Sequence, residues 1–147
     1  MHVLANWEEK MGLTLQSKNY ETEIGYGGFF NLRHTVAKLI SPEVGELYSS
    51  LMDSFCDKEF IKKYNKRLSE LSKEYNHKYD KVIDFLNMPD CDGIIWAKTC
   101  RDIYEIIKNY DDDICYGYCG REDPCMFADF KRIIKDAIDT KGFVKWY

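Results

Sequence analysis

The strongest constraint on the fold is a long run of apolar residues at helical spacing in the middle of the chain. Successive members are four, four, three, four, four, three and four residues apart, and polar side chains fill the other positions. This period is typical of an amphipathic α-helix with one buried face. We expect Asp57 to be its N-cap, and Pro89 lies just beyond its end. The apolar positions are Phe60, Tyr64, Leu68, Leu71, Tyr75, Tyr79, Val82 and Leu86.

The length of this helical pattern raises a question of shape. Unbroken over residues 57–87, it would span roughly 45 Å at 1.5 Å per residue. A globule of 147 residues has a radius of gyration of only ~15 Å. The helix therefore either breaks near Asn76 and His77 or protrudes and exposes its Tyr/Leu stripe to a second copy or a partner.

The remaining patterns predict an α+β fold. Helical periods cover residues 29–40, 42–53, 94–110 and 124–139, and residues 3–11 suit a further short helix. Ser41 precedes Pro42 as an N-cap precedes the first helical residue. Residues 13–15 alternate like an edge strand. We predict one predominantly helical domain, residues 1–147, with five to six helices and a small antiparallel sheet from about 20–26, 114–118 and 143–147.

Charge excludes some partners. The net charge is −4, whereas binding of duplex nucleic acid usually requires a basic surface, so we expect no duplex nucleic acid as a partner. Residues 57–81 carry eight Lys/Arg against five Asp/Glu, and residues 84–123 carry four against ten. These are either two solvated helix faces or, for the second segment, an acidic docking face for a basic partner.

The termini and cysteines bear on location. The first ten residues lack a basic region followed by an apolar one, so we expect no secretory signal. The longest uncharged run, residues 24–32, is nine residues, far below the ~20 that span a bilayer. We therefore predict a cytoplasmic protein without a membrane partner, whose six cysteines are free thiols. Sixteen Lys against five Arg, and thirteen Ile against five Ala, indicate AT-rich coding and suggest a phage or mobile-element origin.

Two Tyr/Gly segments suggest a site for a phosphate-bearing ligand such as a nucleotide. Each follows a predicted strand and precedes a helix, so its backbone N–H groups can approach an anion. The alternative is a pair of ordinary turns, because Phe30 stands where a dinucleotide fingerprint needs its third glycine. The candidate ligand-binding residues are Tyr26, Gly27, Gly28, Arg33, Tyr116, Tyr118 and Arg121.

The second of these segments also suggests an enzyme. Residues 115–121 read C-Y-G-Y-C-G-R, and this C-x5-R spacing resembles the phosphate-binding loop of the protein tyrosine phosphatases. The resemblance covers seven residues and implies a cysteine nucleophile with an arginine that clamps the phosphoryl oxygens. Glu122 and Asp123 follow directly and would repel an oxyanion.

The same cysteines also suggest a metal site, but the sequence pattern is weaker evidence for it. Cys115, Cys119 and Cys125 would need His34 or His77 as a fourth ligand, and they lack the second close pair of structural zinc sites. We therefore predict no metal and no cofactor.

Aromatic content favours an interaction protein. The chain has eleven Tyr, three Trp and eight Phe, and tyrosine suits protein interfaces. If the predicted strands pair, one sheet face becomes rich in tyrosine, although tyrosine is also common in ordinary strands. The tyrosines concerned are Tyr20, Tyr26, Tyr116, Tyr118 and Tyr147.

Three hypotheses follow, in this order. The first is a small non-catalytic interaction protein, with a protein partner or a homodimer, that binds or blocks a host factor. The second is a binding or sequestering protein for a phosphate-bearing ligand. The third is a cysteine-dependent phosphoryl-transfer enzyme, with Cys115 or Cys119 as nucleophile and Arg121 as clamp.

Overall fold

A computed structural model describes residues 12–54, 57–117 and 124–147 of the chain. Within these residues it contains six helices and a four-stranded antiparallel sheet, which confirms the predicted α+β class. The strands are β1 (Gly12–Gln16), β2 (Glu21–Gly25), β3 (Gly93–Trp96) and β4 (Phe143–Trp146). The helices are α1 (Tyr26–Ile40), α2 (Pro42–Ser54), α3 (Lys58–Glu74), α4 (Asp80–Leu86), α5 (Ala97–Ile107) and α6 (Phe127–Asp139).

The sheet has the strand order β2-β1-β4-β3, so β2 and β3 are its edges. All three neighbouring pairs are antiparallel. Helices α1, α5 and α6 contact the strands from one side, which we call the inner face. Because side chains alternate along a strand, every second residue points to these helices and the others point away to the outer face.

The core lies between the inner face and the helices. Trp146 is its largest buried side chain, with ring centroids 5.6 Å from Phe29 and 5.7 Å from Phe85. The indole N–H of Trp146 donates to the carbonyl of Pro89 at 3.0 Å, so its polar atom is satisfied. A smaller apolar cluster of Tyr64, Leu68 and Ile83 packs α3 against α4.

The long helical pattern is broken where the sequence suggested. Asn76 and His77 have φ values of 55° and 60°, the left-handed region that ends a right-handed helix. The buried residues Tyr64, Leu68 and Leu71 lie on α3, and Val82 and Leu86 lie on α4. The stripe is therefore folded into the protein rather than exposed on a protruding helix. Asp57 accepts from the N–H groups of Glu59 and Phe60, as expected of an N-cap.

Two sequence predictions about the sheet are wrong. The described part of the predicted strand 114–118, residues 114–117, does not join the sheet: Cys115 makes one isolated bridge to Met126, and Tyr118 lies outside the described residues. Residues 94–96, predicted as the start of a helix, form β3 instead, and α5 begins at Ala97. The last helix begins at Phe127 rather than near Pro124, because Asp129 accepts from the N–H of Met126 at 2.8 Å and fixes the start there.

Candidate interaction surface

An apolar patch occupies the outer face of the sheet beside β3 and β4. On these strands Ile95, Val144 and Trp146 point inward and are buried. The residues between them must point outward, because side chains alternate. We call this set the aromatic face: Ile94, Trp96, Phe143, Lys145 and Tyr147.

The exposure of the aromatic face is unusual for side chains of this size. Trp96 is 59% exposed, Tyr147 57% and Ile94 40%. Scattered apolar residues are common on protein surfaces, but adjoining large ones often mark an interaction site. Trp96 and Phe143 are directly opposite each other in the register and meet edge to face, with ring centroids 6.0 Å apart.

Polar contacts hold the rings of the aromatic face in place. The ammonium of Lys145 lies 5.9 Å from the Phe143 ring centroid and 5.4 Å from that of Tyr147. The Tyr147 hydroxyl donates to Oε1 of Gln16 at 2.8 Å. The backbone of Tyr147 exchanges hydrogen bonds of 2.9 and 3.2 Å with Thr14. A surface already ordered before binding loses less conformational entropy when a partner docks.

The strand beneath the aromatic face is anchored by Gly93. A Cβ at this position would stand 2.2 Å from the Trp146 ring, so only glycine lets β3 lie this close to the core. The buried Trp146 thus fixes β3 from the inner side, and Ile94 and Trp96 are presented on the outer side. Towards the other edge the outer face is polar and acidic, with Glu21 and Glu23 exposed on β2.

The structure brings part of the two predicted Tyr/Gly segments together. Gly28, in the first turn of α1, lies against the carbonyl of Tyr116, which would be 2.1 Å from an added Cβ. The Tyr116 hydroxyl is hydrogen-bonded to Thr35 Oγ1 at 2.9 Å, and burial raises the pKa of Tyr116 to about 12. The Tyr116 ring is buried between α1 and α6, so this contact is direct packing of the two segments.

Arg33 lies on a different side of α1 from Gly28 and Thr35. Its guanidinium donates hydrogen bonds to backbone carbonyls on that side. Its Nη1 reaches the carbonyls of Phe85 at 3.2 Å and Met88 at 2.7 Å, and its guanidinium lies 4.3 Å from the Phe29 ring centroid. Only 4% of Arg33 is exposed, and its Nε has no hydrogen-bond partner among the residues that the structure describes. Burial lowers the pKa of Arg33. Its observed contacts tie α1 to the end of α4.

The structure describes only some of the other predicted ligand-binding residues. Tyr26 is the first residue of α1, and Gly27 follows it as an exposed residue at which an added Cβ would meet no atom within 4 Å. Tyr118 and Arg121 lie outside the described residues. The ligand site as a whole stays a prediction.

The cysteines predicted as nucleophiles or ligands differ in environment. Cys115 is exposed and accepts from the N–H of Gly117 at 3.4 Å, whereas Cys125 is buried. Cys119 lies outside the described residues, so the phosphatase-like loop stays a prediction. Among the His, Cys, Asp and Glu residues in the described part of the chain, no three come together as metal ligands.

A serine, a histidine and an aspartate, the residue types of a catalytic triad, form a cluster that the sequence patterns do not indicate. Ser72, His77 and Asp80 meet at the turn between α3 and α4, where Nδ1 of His77 lies 3.0 Å from Ser72 Oγ and 2.9 Å from Asp80 Oδ2. Ser72 also donates to Asp80. In a catalytic triad the serine and the carboxylate use different ring nitrogens. Here both use Nδ1, so this arrangement closes a turn and cannot relay a proton.

The sequence patterns do not indicate the aromatic face. Residues 143–147 alternate as a strand should, but the helical period of residues 94–110 puts Trp96 in a helix. The alternation of Gly93 to Trp96 extends over four residues, too few to separate a strand from the first turn of a helix. Of the tyrosines expected on the sheet, Tyr147 lies on this face, and Tyr20 is exposed at the turn before β2.

Comparisons with protein-family models, with curated proteins and with solved structures found no match to this chain. None of the helices in the described ranges is long and apolar enough to cross a membrane.

Proposed function

We propose that this chain is a small, non-catalytic interaction protein that binds a protein partner through its aromatic face. The observation that supports the proposal is the exposed Trp96, with Phe143 opposite it, Ile94 next to it and Tyr147 farther along the same sheet face. Tryptophan and tyrosine contribute binding energy at protein interfaces out of proportion to their number. Among the described residues, Cys100 and Cys125 are buried, and Ser72, His77 and Asp80 are not arranged as a catalytic triad.

The proposal also covers the origin of the gene and the kind of partner that the protein binds. The Lys- and Ile-rich composition supports a phage or mobile-element gene whose product acts in the cytoplasm by binding or blocking a host factor. The acidic Glu21 and Glu23 at the far edge of the outer face favour a partner that carries basic residues around an apolar anchor.

The experiment compares capture of proteins from host extract by four forms of the full chain. These are the wild type, Trp96→Ala, Tyr147→Ala and the control Met52→Ala, which removes an apolar side chain 57% exposed on α2. We expect one partner to be retained by the wild type and by Met52→Ala. Its recovery should fall at least about tenfold with Trp96→Ala, the loss that ~1.4 kcal/mol produces. Equal recovery by all four forms would contradict the proposal.

A phosphate-bearing ligand is the second proposal, supported by the approach of Gly28 to Tyr116. Native mass spectrometry of gently purified protein tests it directly. An added mass of a few hundred daltons would place this function first. A bare chain would leave the interaction proposal ahead.

A further inference from the structure

Positive charge lies at the end of the aromatic face that carries Trp96. Just beyond Trp96, a backbone hydrogen bond of 2.9 Å joins the N–H of Ala97 to the carbonyl of Gly142. Lys98 follows Ala97 and Lys141 precedes Gly142, and both lysines are exposed. Because a lysine ammonium stands on a flexible four-carbon stem, both can reach a ligand that sits on the Trp96 ring.

The protein does not neutralise the lysines at this end of the aromatic face. Among the residues that the structure describes, Lys98, Lys141 and Lys145 form no ion pair. The carboxylate of Asp139, two residues before Lys141, pairs with Lys135 at 2.7 Å instead. Unpaired ammonium groups on one surface attract anions, and a ligand with several spaced anionic groups gains most from them.

The rings of the aromatic face leave room for stacking. Phe143 is the ring that contacts Trp96 within the described residues, and the two ring planes stand 71° apart. Because Trp96 is also 59% exposed, at least one flat side of its indole is open. Along the chain, the outward side chains then alternate ring, ammonium and ring, in the order Phe143, Lys145 and Tyr147.

A single-stranded nucleic acid has the chemistry that matches this pattern. Each base has a flat ring that stacks on an aromatic side chain, and a phosphate separates each nucleotide from the next. An acidic peptide supplies the negative charges but not the flat rings, and the bases of a duplex are already stacked on each other. We propose that the aromatic face binds a short single-stranded nucleic acid, with bases on Trp96 and Tyr147 and phosphates at Lys98, Lys141 and Lys145.

The acidic edge of the sheet limits the length of the bound strand. Glu21 and Glu23 are exposed on β2, and their carboxylates repel phosphates. The strand is therefore confined to β3 and β4, and we expect a weak site with a dissociation constant of about 10–100 μM at about 50 mM salt. This proposal goes beyond the protein partner and does not depend on it, although both ligands use Trp96.

Fluorescence anisotropy of a labelled oligo(dT) of about twelve nucleotides measures binding to the full chain. Each phosphate contact to a single strand contributes about −0.7 to the slope of log affinity against log salt concentration. Three contacts therefore predict a slope of about −2, and the affinity should fall about twentyfold between 50 and 200 mM salt.

Variants test the ring and the charge separately. Trp96→Ala should weaken binding at least about fivefold, whereas Trp96→Phe keeps a ring and should stay within about threefold of the wild type. Lys141→Gln should weaken binding severalfold and make the salt slope shallower by about 0.7. The controls Met52→Ala on α2 and Lys62→Gln on α3 remove an exposed apolar side chain and an exposed ammonium, and both should leave the affinity unchanged. Circular dichroism verifies that each variant is folded.

Three results would each overturn the proposal. These are no binding of oligo(dT) up to about 500 μM protein, an affinity that Trp96→Ala leaves unchanged, and a salt slope that Lys141→Gln leaves unchanged. Poly-L-glutamate that binds as tightly as oligo(dT) would also overturn it, in favour of an acidic protein segment. A chain that captures a protein but does not bind oligo(dT) refutes only this site, and the reverse result refutes only the proposed function.

Discussion

The carboxylate of Asp136 accepts a hydrogen bond from the Ser17 hydroxyl at 2.7 Å, across 119 positions of sequence. The same carboxylate accepts from the backbone N–H and the side-chain amide of Asn19, each at 2.9 Å. Asp136 lies on α6 and is 8% exposed, and Ser17 and Asn19 form the turn between β1 and β2. One buried carboxylate thus fixes the first hairpin to the last helix.

Replacement of Asp136 by Asn should make stability less dependent on pH. Burial alone would raise the pKa of Asp136, but the hydrogen bonds from Asn19 and Ser17 outweigh it and hold the pKa below the ordinary value of 3.8. The stabilisation is therefore complete above the unfolded-state pKa and is lost as the pH falls through the folded-state pKa.

We expect Asp136→Asn to lower the free energy of unfolding by about 1–3 kcal/mol at pH 7, because an amide cannot accept all three bonds. Urea denaturation at several pH values should show this difference narrow below about pH 4. A constant difference from pH 7 to pH 3 would contradict this assignment. Asp139→Asn, at an exposed position on the same helix, is the control.

Arg33 should contribute to stability through its carbonyl contacts and its packing on Phe29. Arg33→Ala removes both and leaves a cavity, so the free energy of unfolding should fall by about 3 kcal/mol. Arg33→Met refills much of the volume but leaves the carbonyls of Phe85 and Met88 without this donor, and it should cost less. Thermal denaturation of the two variants measures the order. Equal stability of Arg33→Ala and wild type would show that the observed contacts do not support the fold.

The neighbouring glycines 27 and 28 should respond to alanine in opposite directions. Gly27→Ala meets no atom within 4 Å, so the higher helix propensity of alanine should stabilise the protein by up to about 1 kcal/mol. Gly28→Ala pushes a methyl group onto the carbonyl of Tyr116 and should destabilise it by about 1–3 kcal/mol. Chemical denaturation compares them. Two equal effects would show that α1 and the 116 segment do not approach closely.

Cysteine alkylation should separate two classes of thiol in the folded protein. Burial raises the pKa of Cys100 to about 12, and Cys125 is also buried, whereas Cys91 and Cys115 are exposed. Iodoacetamide at pH 8 should therefore label Cys91 and Cys115 at least about tenfold faster than the buried pair. Peptide mapping by mass spectrometry gives each rate, and denaturant should equalise them. Rapid labelling of Cys100 without denaturant would contradict the packing around α5.

Much of the helical part of the fold was predictable from local patterns. The period of residues 57–87 defined which side of α3 and α4 is buried, and the size of the globule left two alternatives, a break near Asn76 and His77 or a protruding helix. The structure shows the break. Ser41 and Asp57 cap their helices as their positions indicated. These features depend on neighbours within one or two turns, which the sequence places directly.

The sheet was predictable only in part, because its pairings join distant segments. Residues 20–26 and 143–147 alternate clearly, and β2 and β4 lie there. Residues 114–118 alternate as well, but Cys115 bridges only Met126. The four residues of β3 belong to the sheet because the core closes over Gly93 and Trp146. No local sequence pattern distinguishes the segments that join the sheet from the segment around Cys115.

The candidate interaction surface also depends partly on local sequence patterns and partly on contacts between distant segments. The sequence by itself determined the helices, their buried sides and the abundance of aromatic residues, because these follow from composition and short-range periodicity. Only the tertiary structure decided that Trp96 joins Phe143 on an exposed face and that Arg33 is buried against carbonyls. The exposure of a side chain depends on which strands pair and which face the helices cover, and both are set by contacts between residues far apart in the chain.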